Sequence, residues 1–206
     1  MLADFSNAPL RTKSLKEELQ AEFARKGIHL LIAVVPGLAS LNLPNTALLL
    51  MVGILFYTVA ESMRFLGFPM PMISPVTEAV LRRREQGRFA LAPVTLGLGA
   101  LLTLLLLPAP VAAAAIYALA FGDSASSLVG KFLGRMRPAF LKGKSLEGSL
   151  ACIVTSFLAA FFVFREWKTA LAVGIASLLI DALPLREFDN LFLPLAAGFA
   201  ALIFQV

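Results

Sequence analysis

The stretch IYALAFGDSASSLVGKFLGR, from Ile116 to Arg135, places an aspartate inside an apolar run that has the length of a membrane helix. An ionised carboxylate at the centre of a bilayer costs about 2.5–3.5 kcal/mol, so it persists where it meets water, a cation or a partner group. Gly122, Ser126 and Gly130 recur at every fourth position, a spacing typical of the faces on which membrane helices pack. Helix packing explains these small residues but not Asp123, which is therefore a candidate functional group.

Most of the remaining chain is apolar as well. Of its 206 residues, 59% are hydrophobic and only 15% are charged, against about 25% charged residues in an average soluble domain. Lipid offers backbone groups no hydrogen-bond partner, so the spans of such a chain are α-helices. The sequence predicts an all-α, polytopic membrane bundle of about seven helices, near Ile28–Leu43, Ala47–Leu66, Phe89–Leu107, Val111–Val129, Gly148–Phe164, Lys168–Leu183 and Leu191–Val206.

The positions of the basic residues predict the orientation of this bundle. All but two of the 18 Lys and Arg residues lie before the first span or in alternate connections, which therefore share one face. Because basic residues favour cytoplasmic connections, we predict a cytoplasmic N-terminus and an outer C-terminus. The net charge of +5 follows from this arrangement and does not indicate a nucleic acid as partner.

The sequence divides into two predicted units. Residues 1–27 are a polar, cytoplasmic N-terminal segment, in which residues 14–27 are predicted to form an amphipathic helix along the inner membrane surface. Residues 28–206 are the predicted transmembrane catalytic domain. The glycine-rich face of the fourth span is a candidate contact between copies in a homo-oligomer.

A second polar cluster, KGKSLEGS at residues 142–149, begins the fifth span on the same face as Asp123. Lys144 and Glu147 are three apart, so on a helix they share a face and offer a phosphate-binding cation beside a metal ligand. The alternative is a helix start, with Ser145 as the N-cap and Glu147 in the first turn.

A third polar cluster, EFDN at residues 187–190, precedes the last span. Asp189 and Asn190 either bind a metal or a hydroxyl, or cap the last helix. Asp181 lies nearby in the sixth span and is compatible with a purely interfacial residue.

The single histidine, His29, stands one helical turn beyond two cations, Arg25 and Lys26, at the mouth of the first span. Such a histidine is usually a packing or hydrogen-bonding residue. The two neighbouring cations also make a phosphate site plausible.

The candidate residues carry both signs of charge. The carboxylates suit Mg²⁺, and the cations suit phosphate oxygens. This combination is typical of phosphoryl or nucleotidyl transfer, in which positioning and charge neutralisation supply most of the catalysis. A site within a membrane protein further implies a lipid co-substrate whose polar head reaches the inner surface.

Six blocks of sequence resemble, in order, the CTP-dependent lipid kinases, a family that includes dolichol kinase, phytol kinase and CTP-dependent diacylglycerol kinase. The blocks are RKGIHLL (Arg25–Leu31), VAESMR (Val59–Arg64), RRREQGRFA (Arg82–Ala90), FGDSASSLVGKFLGR (Phe121–Arg135), KSLEGSLA (Lys144–Ala151) and FDNLFLPL (Phe188–Leu195). The resemblance implies transfer of the γ-phosphate of CTP to the hydroxyl of a lipid alcohol, which gives a lipid monophosphate and CDP. One departure is Gly143, where the family often has a second lysine beside Lys144.

The resemblance also implies roles for individual residues. By carry-over, Asp123, Lys144, Glu147 and Gly148 belong to the nucleotide and metal site, and Asp189 and Asn190 complete it. The predicted catalytic residues are Asp123, Lys144, Glu147 and Asp189, and the predicted Mg²⁺ ligands are Asp123 and Glu147. The predicted nucleotide contacts are Gly122, Ser124, Gly130, Lys131, Gly148, Asn190, Arg25, Lys26 and His29.

Two other functions are compatible with the same polar residues. A CTP-dependent cytidylyltransferase acting on a phospholipid phosphate would use much the same lysine and carboxylates, and a small transporter would line its pathway with buried charges. For the kinase, the sequence predicts a multi-pass protein in the plasma membrane of a prokaryote, with its active site on the cytoplasmic face.

Overall fold

α-Helices, most of them apolar, form the framework of the part of the protein that the structure describes. The computed structural model describes residues 15–81, 85–138, 141 and 143–205, and these contain no strand. The N-terminal residues 1–14 and the basic residues Arg82, Arg83, Arg84 and Lys142 lie outside these ranges. The helices are α1 (Leu15–Leu30), α2 (Val35–Leu41), α3 (Leu43–Phe65), α4 (Ile73–Val80), α5 (Ala92–Leu106), α6 (Ala109–Tyr117), α7 (Ser124–Phe132), α8 (Leu146–Phe164), α9 (Trp167–Ala182) and α10 (Asp189–Phe204).

Several of these helices have the length of a membrane span. Within the described ranges, five are long and apolar enough to cross a bilayer: Leu19–Leu41, Leu43–Phe65, Ala109–Phe132, Leu146–Phe164 and Arg186–Phe204. Helices α5 and α9 have only 15 and 16 residues, which gives each a length of about 22–24 Å against a hydrocarbon core of about 30 Å. The predicted helical membrane bundle is confirmed, whereas the count of seven spans stays a prediction.

The first long helix includes the polar N-terminal residues. A single 3₁₀ turn, Leu31–Val34, joins α1 to α2, so the helix continues from the polar segment into the apolar one. Glu22, Lys26 and His29 lie on one face of α1 at helical spacing, and all three are buried. Helix α1 contacts α4 and α7. The predicted boundary at residue 27 therefore does not coincide with a helix end.

The most buried helix is the one that contains Asp123. Helices α6 and α7 are joined by a π-helical turn, Ala118–Asp123. In an apolar stretch of 18 residues within the resulting span, 67% of the residues are buried, against 33% or less in the corresponding stretches of the other four candidate spans. Its buried side chains are mostly small, which lets neighbouring backbones come close: Ala112, Ala114, Ala115, Ala118 and Ala120. A π turn holds one extra residue and re-aims the side chains that follow it, and here the last of its residues is Asp123.

Glycines bring α7 and α8 together within one chain. A methyl group on Gly122 would collide with the hydroxyl of Ser156, and one on Gly148 would lie 2.7 Å from the carbonyl oxygen of Ser126. The glycine-rich face of the predicted fourth span is thus covered by α8. This face therefore makes a contact within one chain, and the predicted homo-oligomer stays a prediction.

The connection between α8 and α9 lies at the opposite end of α8 from Lys144. There, the carboxylate of Glu166 caps α9 by accepting hydrogen bonds from the backbone N–H groups of Lys168 and Thr169. The N–H donation from Thr169 and Lys168 holds the pKa of Glu166 below its usual range. This exposed carboxylate has a structural role far from the polar clusters.

Gly99 and Gly53 offer a direct test of the packing between α5 and α10. Gly99→Ala is expected to lower the unfolding free energy by about 1–3 kcal/mol, because overpacking forces neighbouring backbone to move, and the new methyl meets the carbonyl oxygen of Asn190. Gly53→Ala places the same methyl in open space on an exposed face of α3. Thermal unfolding in detergent compares the two, and equal midpoints would contradict the described contact.

Candidate functional site

A polar cavity of about 390 Å³ lies at one end of the bundle, where α7 and α9 end and α8 and α10 begin. Its charged lining residues include acids from four parts of the chain and the cations that face them: Glu22, Asp123, Lys131, Lys144, Asp181 and Asp189. The sequence predicts this end to be cytoplasmic. The structure therefore brings most of the predicted polar clusters to one place.

Asp123 is held by a cation from the first helix. The Nζ of Lys26 forms a buried ion pair with Oδ2 of Asp123, and Nε2 of His29 lies 3.3 Å from the same oxygen. His29 also lies within 3.3 Å of the carbonyl oxygen of Leu119. Lys26 and His29 both face Asp123. Lys26 is therefore engaged by protein, as a counter-ion for the buried carboxylate.

Arg25 has different partners from Lys26 and His29. Its Nη1 donates to Glu22 at 2.9 Å, and its Nη2 donates to the carbonyl of Val80 at the end of α4. Arg25 lines a neighbouring apolar cavity and is absent from the lining of the polar one. Lys26 and His29 line the same apolar cavity and are likewise absent from the lining of the polar one. The three residues therefore lie together, and their role as nucleotide contacts stays a prediction.

Asp181 belongs to the site, although its sequence position was compatible with a purely interfacial residue. It is buried in the last turn of α9, where Oδ1 accepts from Nζ of Lys144 at 2.8 Å and Oδ2 accepts from the hydroxyl of Ser126 at 3.0 Å. Lys144 also donates to the backbone carbonyl of Asp181. The signal was available, because an acid inside an apolar helix raises the same question at Asp181 as at Asp123.

Glu22 is a second carboxylate that the sequence analysis passed over. It is buried, and its Oε2 accepts from Nζ of Lys131 at 2.8 Å as well as from Arg25. The pair with Lys131 connects α1 to α7. Lys131 keeps 41% of its side chain exposed, so its ammonium group remains accessible from the polar cavity.

Glu147 is placed differently from the predicted metal ligand. Its carboxylate accepts hydrogen bonds from the backbone N–H groups of Arg135 and Met136, at 2.9 and 3.1 Å. Glu147 does not line the polar cavity that contains Asp123. Its neighbour Ser145 is the N-cap of α8 and accepts from the N–H of Gly148. The cluster thus has the contacts of a helix start, the alternative interpretation, and its residues Gly143, Lys144 and Ser145 line the cavity. The role of Glu147 as a metal ligand stays a prediction.

The remaining predicted contacts divide between the cavity and the packing around it. Asp189 and Gly130 line the polar cavity. The side-chain nitrogen of Asn190 instead lies 3.3 Å from the carbonyl oxygen of Ala92 and ties α10 to α5. Gly122, Gly148 and Ser124 are buried, and the hydroxyl of Ser124 has no hydrogen-bond partner among the described residues.

Asp189 stands at the meeting point of two cavities. It lines both the polar cavity and the apolar cavity beside it, as does Asp123. Oδ1 of Asp189 accepts from the backbone N–H of Asn190 at 2.9 Å, and within the described ranges this carboxylate has no ion pair of its own. It is thus a carboxylate that a ligand can reach from either side.

The side chains do not form a closed metal site. Among the described residues, no three Asp, Glu, His or Cys side chains are grouped closely enough to hold a metal ion. Mg²⁺ usually binds through one or two carboxylates together with substrate phosphates, and it keeps several waters. Asp123 and Asp189, which face the same cavity, fit that mode of binding. The cavity can therefore accept a polyanion and a hard cation together.

Comparison with known proteins finds a partial similarity to a phytol kinase and a longer, weaker one to an uncharacterized protein. Over 103 residues, 43% of the chain, the sequence is 31% identical to the probable phytol kinase 3, chloroplastic, of Glycine max, and the match spans 32% of that protein. Over 184 residues, 86% of the chain and 91% of the relative, it is 24% identical to an uncharacterized protein of Methanocaldococcus jannaschii. No family model and no solved structure matches the chain.

The ion pair between Lys26 and Asp123 provides a stability test of the site. Lys26→Met is expected to destabilise the protein by about 3–5 kcal/mol, because it leaves a buried carboxylate without its cation. Adding Asp123→Asn to this variant removes the unpaired charge and should recover most of the loss. Unfolding in detergent measures both, with Lys168→Met as an exposed control. Additive effects of the two substitutions would show that the pair does not form.

Proposed function

We propose that this protein is a membrane-embedded kinase that transfers the γ-phosphate of CTP to the hydroxyl of a lipid alcohol. The observation that carries the proposal is the polar cavity, in which carboxylates and lysines from separate helices converge at one end of a membrane bundle. Phosphoryl transfer needs this combination, because it depends on positioning and on neutralising phosphate charge. The partial similarity to a phytol kinase supports the lipid acceptor, and the motif resemblance supports CTP as the donor.

Lys144 and Lys131 are the proposed phosphate-binding cations. Their side chains are 34% and 41% exposed, against 5% for Lys26, so a nucleotide can reach them without entering the helix core. Asp181 and Glu22 hold the two ammonium groups at the cavity wall. An ammonium ion already oriented by a carboxylate loses less freedom when a phosphate binds beside it.

Asp123 and Asp189 are the proposed partners of Mg²⁺, in place of the predicted pair Asp123 and Glu147. Both line the polar cavity, whereas Glu147 is committed to backbone N–H groups. When bound, the ion would supply neutralisation of charge on the nucleotide phosphates. Lys26 limits the negative charge at Asp123, because it forms an ion pair with that carboxylate.

Asp189 is also the proposed group that orients the acceptor hydroxyl. In the reaction, the lipid oxygen forms a bond to the γ-phosphorus, the bond between that phosphorus and CDP breaks, and the hydroxyl proton passes to a carboxylate. Asp123 and Asp181 are neutralised by lysines, whereas Asp189 has no ion pair among the described residues. Asp189 is therefore the acid best able to accept a hydrogen bond from the incoming alcohol.

The function is tested with purified protein, Mg²⁺ and γ-labelled CTP, ATP, GTP or UTP, against phytol, geranylgeraniol, polyprenols, dolichol and diacylglycerol. We expect label from CTP in a lipid monophosphate. Asp123→Asn should abolish it, whereas Glu166→Gln, an equivalent change in the capping residue of α9, should keep wild-type activity. Pyrophosphate release with a phospholipid phosphate would instead indicate cytidylyl transfer, and solute uptake into vesicles without nucleotide would indicate transport.

A substitution of Glu147 distinguishes the proposed Mg²⁺ site, Asp123 with Asp189, from the pair predicted by sequence, Asp123 with Glu147. Glu147→Gln is expected to retain turnover, because the carboxylate holds backbone N–H groups outside the polar cavity. Thermal unfolding should show a modest loss of stability in the same variant. If Glu147→Gln lost turnover as completely as Asp123→Asn while the fold stayed intact, the result would support Glu147 as a Mg²⁺ ligand.

A further inference from the structure

A second cavity lies directly beside the polar one and has a different character. Its volume is about 480 Å³, within the range of roughly 300–1,000 Å³ typical of small-molecule sites. Side chains from α1, α3, α4 and α5 form most of its wall, and they are largely aliphatic or aromatic. They include Ile28, Phe56, Ile73, Val76 and Leu96.

The two cavities meet at charged residues. Asp123, Arg186 and Asp189 line both of them. A molecule with a hydrocarbon body in the apolar cavity therefore has its polar end beside the two carboxylates. A lipid alcohol that receives phosphate from a nucleotide in the polar cavity needs this geometry.

The segment that leads into α4 is apolar, whereas the helix itself has Thr77 on the cavity side and an exposed Glu78. Residues 65–76, which lead into this helix and begin it, contain no charged residue. Several of their side chains are well exposed in the isolated chain, among them Phe68 at 69% and Met72 at 84%, while Ile73 and Val76 line the cavity. Helix α4 has eight residues and cannot span a bilayer. It therefore stands as a short wall between the cavity and the surrounding lipid.

The cavity offers few unsatisfied polar groups to a ligand. The hydroxyl of Tyr57 lies 3.4 Å from the carbonyl oxygen of Ala90, to which it donates. Glu61 of α3 does not line the cavity, and its carboxylate accepts hydrogen bonds from Arg64 and from the backbone N–H of Ala90. Other polar side chains also line this cavity, among them Arg25, Thr77 and Glu85. The carboxylates shared with the polar cavity are Asp123 and Asp189.

We propose that the apolar cavity binds the hydrocarbon chain of the acceptor alcohol, that the hydroxyl lies between Asp123 and Asp189, and that α4 is the wall facing the bilayer. This inference rests on the proposed kinase function. A hydrocarbon chain that moves from the bilayer into this cavity exchanges one apolar environment for another. Packing against the cavity wall, rather than burial from water, therefore discriminates between alcohols. The cavity should therefore set which alcohol chain is preferred.

Two filling variants and one control test this assignment. Leu96→Trp and Val76→Trp add bulk to two different walls of the cavity, whereas Leu48→Trp adds it to an exposed position of α3 that does not line the cavity. The ratio of kcat/KM for geranylgeraniol to that for the shorter geraniol should fall about tenfold or more in the filling variants. It should not change in Leu48→Trp, and the KM for CTP should be unchanged in all three. An unchanged ratio in both filling variants would overturn the proposal.

Direct labelling separates failure of this inference from failure of the kinase function. Wild-type protein is irradiated with a diazirine derivative of geranylgeraniol, and the labelled peptides are identified by mass spectrometry. Label on α4 and α5 residues of the cavity, competed by unmodified geranylgeraniol and lost in Leu96→Trp, supports the site even if no alcohol is phosphorylated. Label spread over exposed positions such as Leu48, without competition, overturns the site even if the protein is a kinase.

Discussion

The buried carboxylate of Asp123 is the constraint around which the bundle is arranged. It stands at the end of a π turn in the most buried helix, where an uncompensated negative charge would be strongly destabilising. Lys26 neutralises it from α1, and His29 lies beside the same oxygen. The polar face of α1 is therefore turned toward the protein, and the first long helix continues from polar into apolar sequence without a break.

The same principle organises the rest of the polar cavity. Lys144 with Asp181 connects the start of α8 to the end of α9, and Lys131 with Glu22 connects α7 to α1. Each pair balances charge between separate elements, so the site is assembled by the ion pairs that also hold the helix ends together. The two exposed lysines can exchange part of this bonding for phosphate oxygens, whereas Asp189, which has no ion pair among the described residues, faces both cavities.

Local sequence was a good guide wherever a feature depended on a single helix. The apolar runs predicted a helical membrane bundle, and the aspartate within one of them predicted a charged site. Ser145 and Glu147 show the limit of this reasoning, because their spacing suits a ligand pair and a helix start equally well. In the structure, the Glu147 carboxylate accepts hydrogen bonds from the backbone N–H groups of Arg135 and Met136. These groups come from a segment that local spacing does not relate to Glu147.

The sequence by itself determined that the chain is a membrane helix bundle with acids and lysines toward one end, because apolar length and buried charge are local properties. Only the tertiary structure decided which charges meet. It paired Lys26 with Asp123 across 97 positions of sequence. It also placed Asp181 and Glu22 in the cavity wall, where they pair with Lys144 and Lys131. It also placed an apolar cavity against the polar one. Side chains that look alike as lipid-facing residues in sequence form a cavity wall only when four helices enclose a common space.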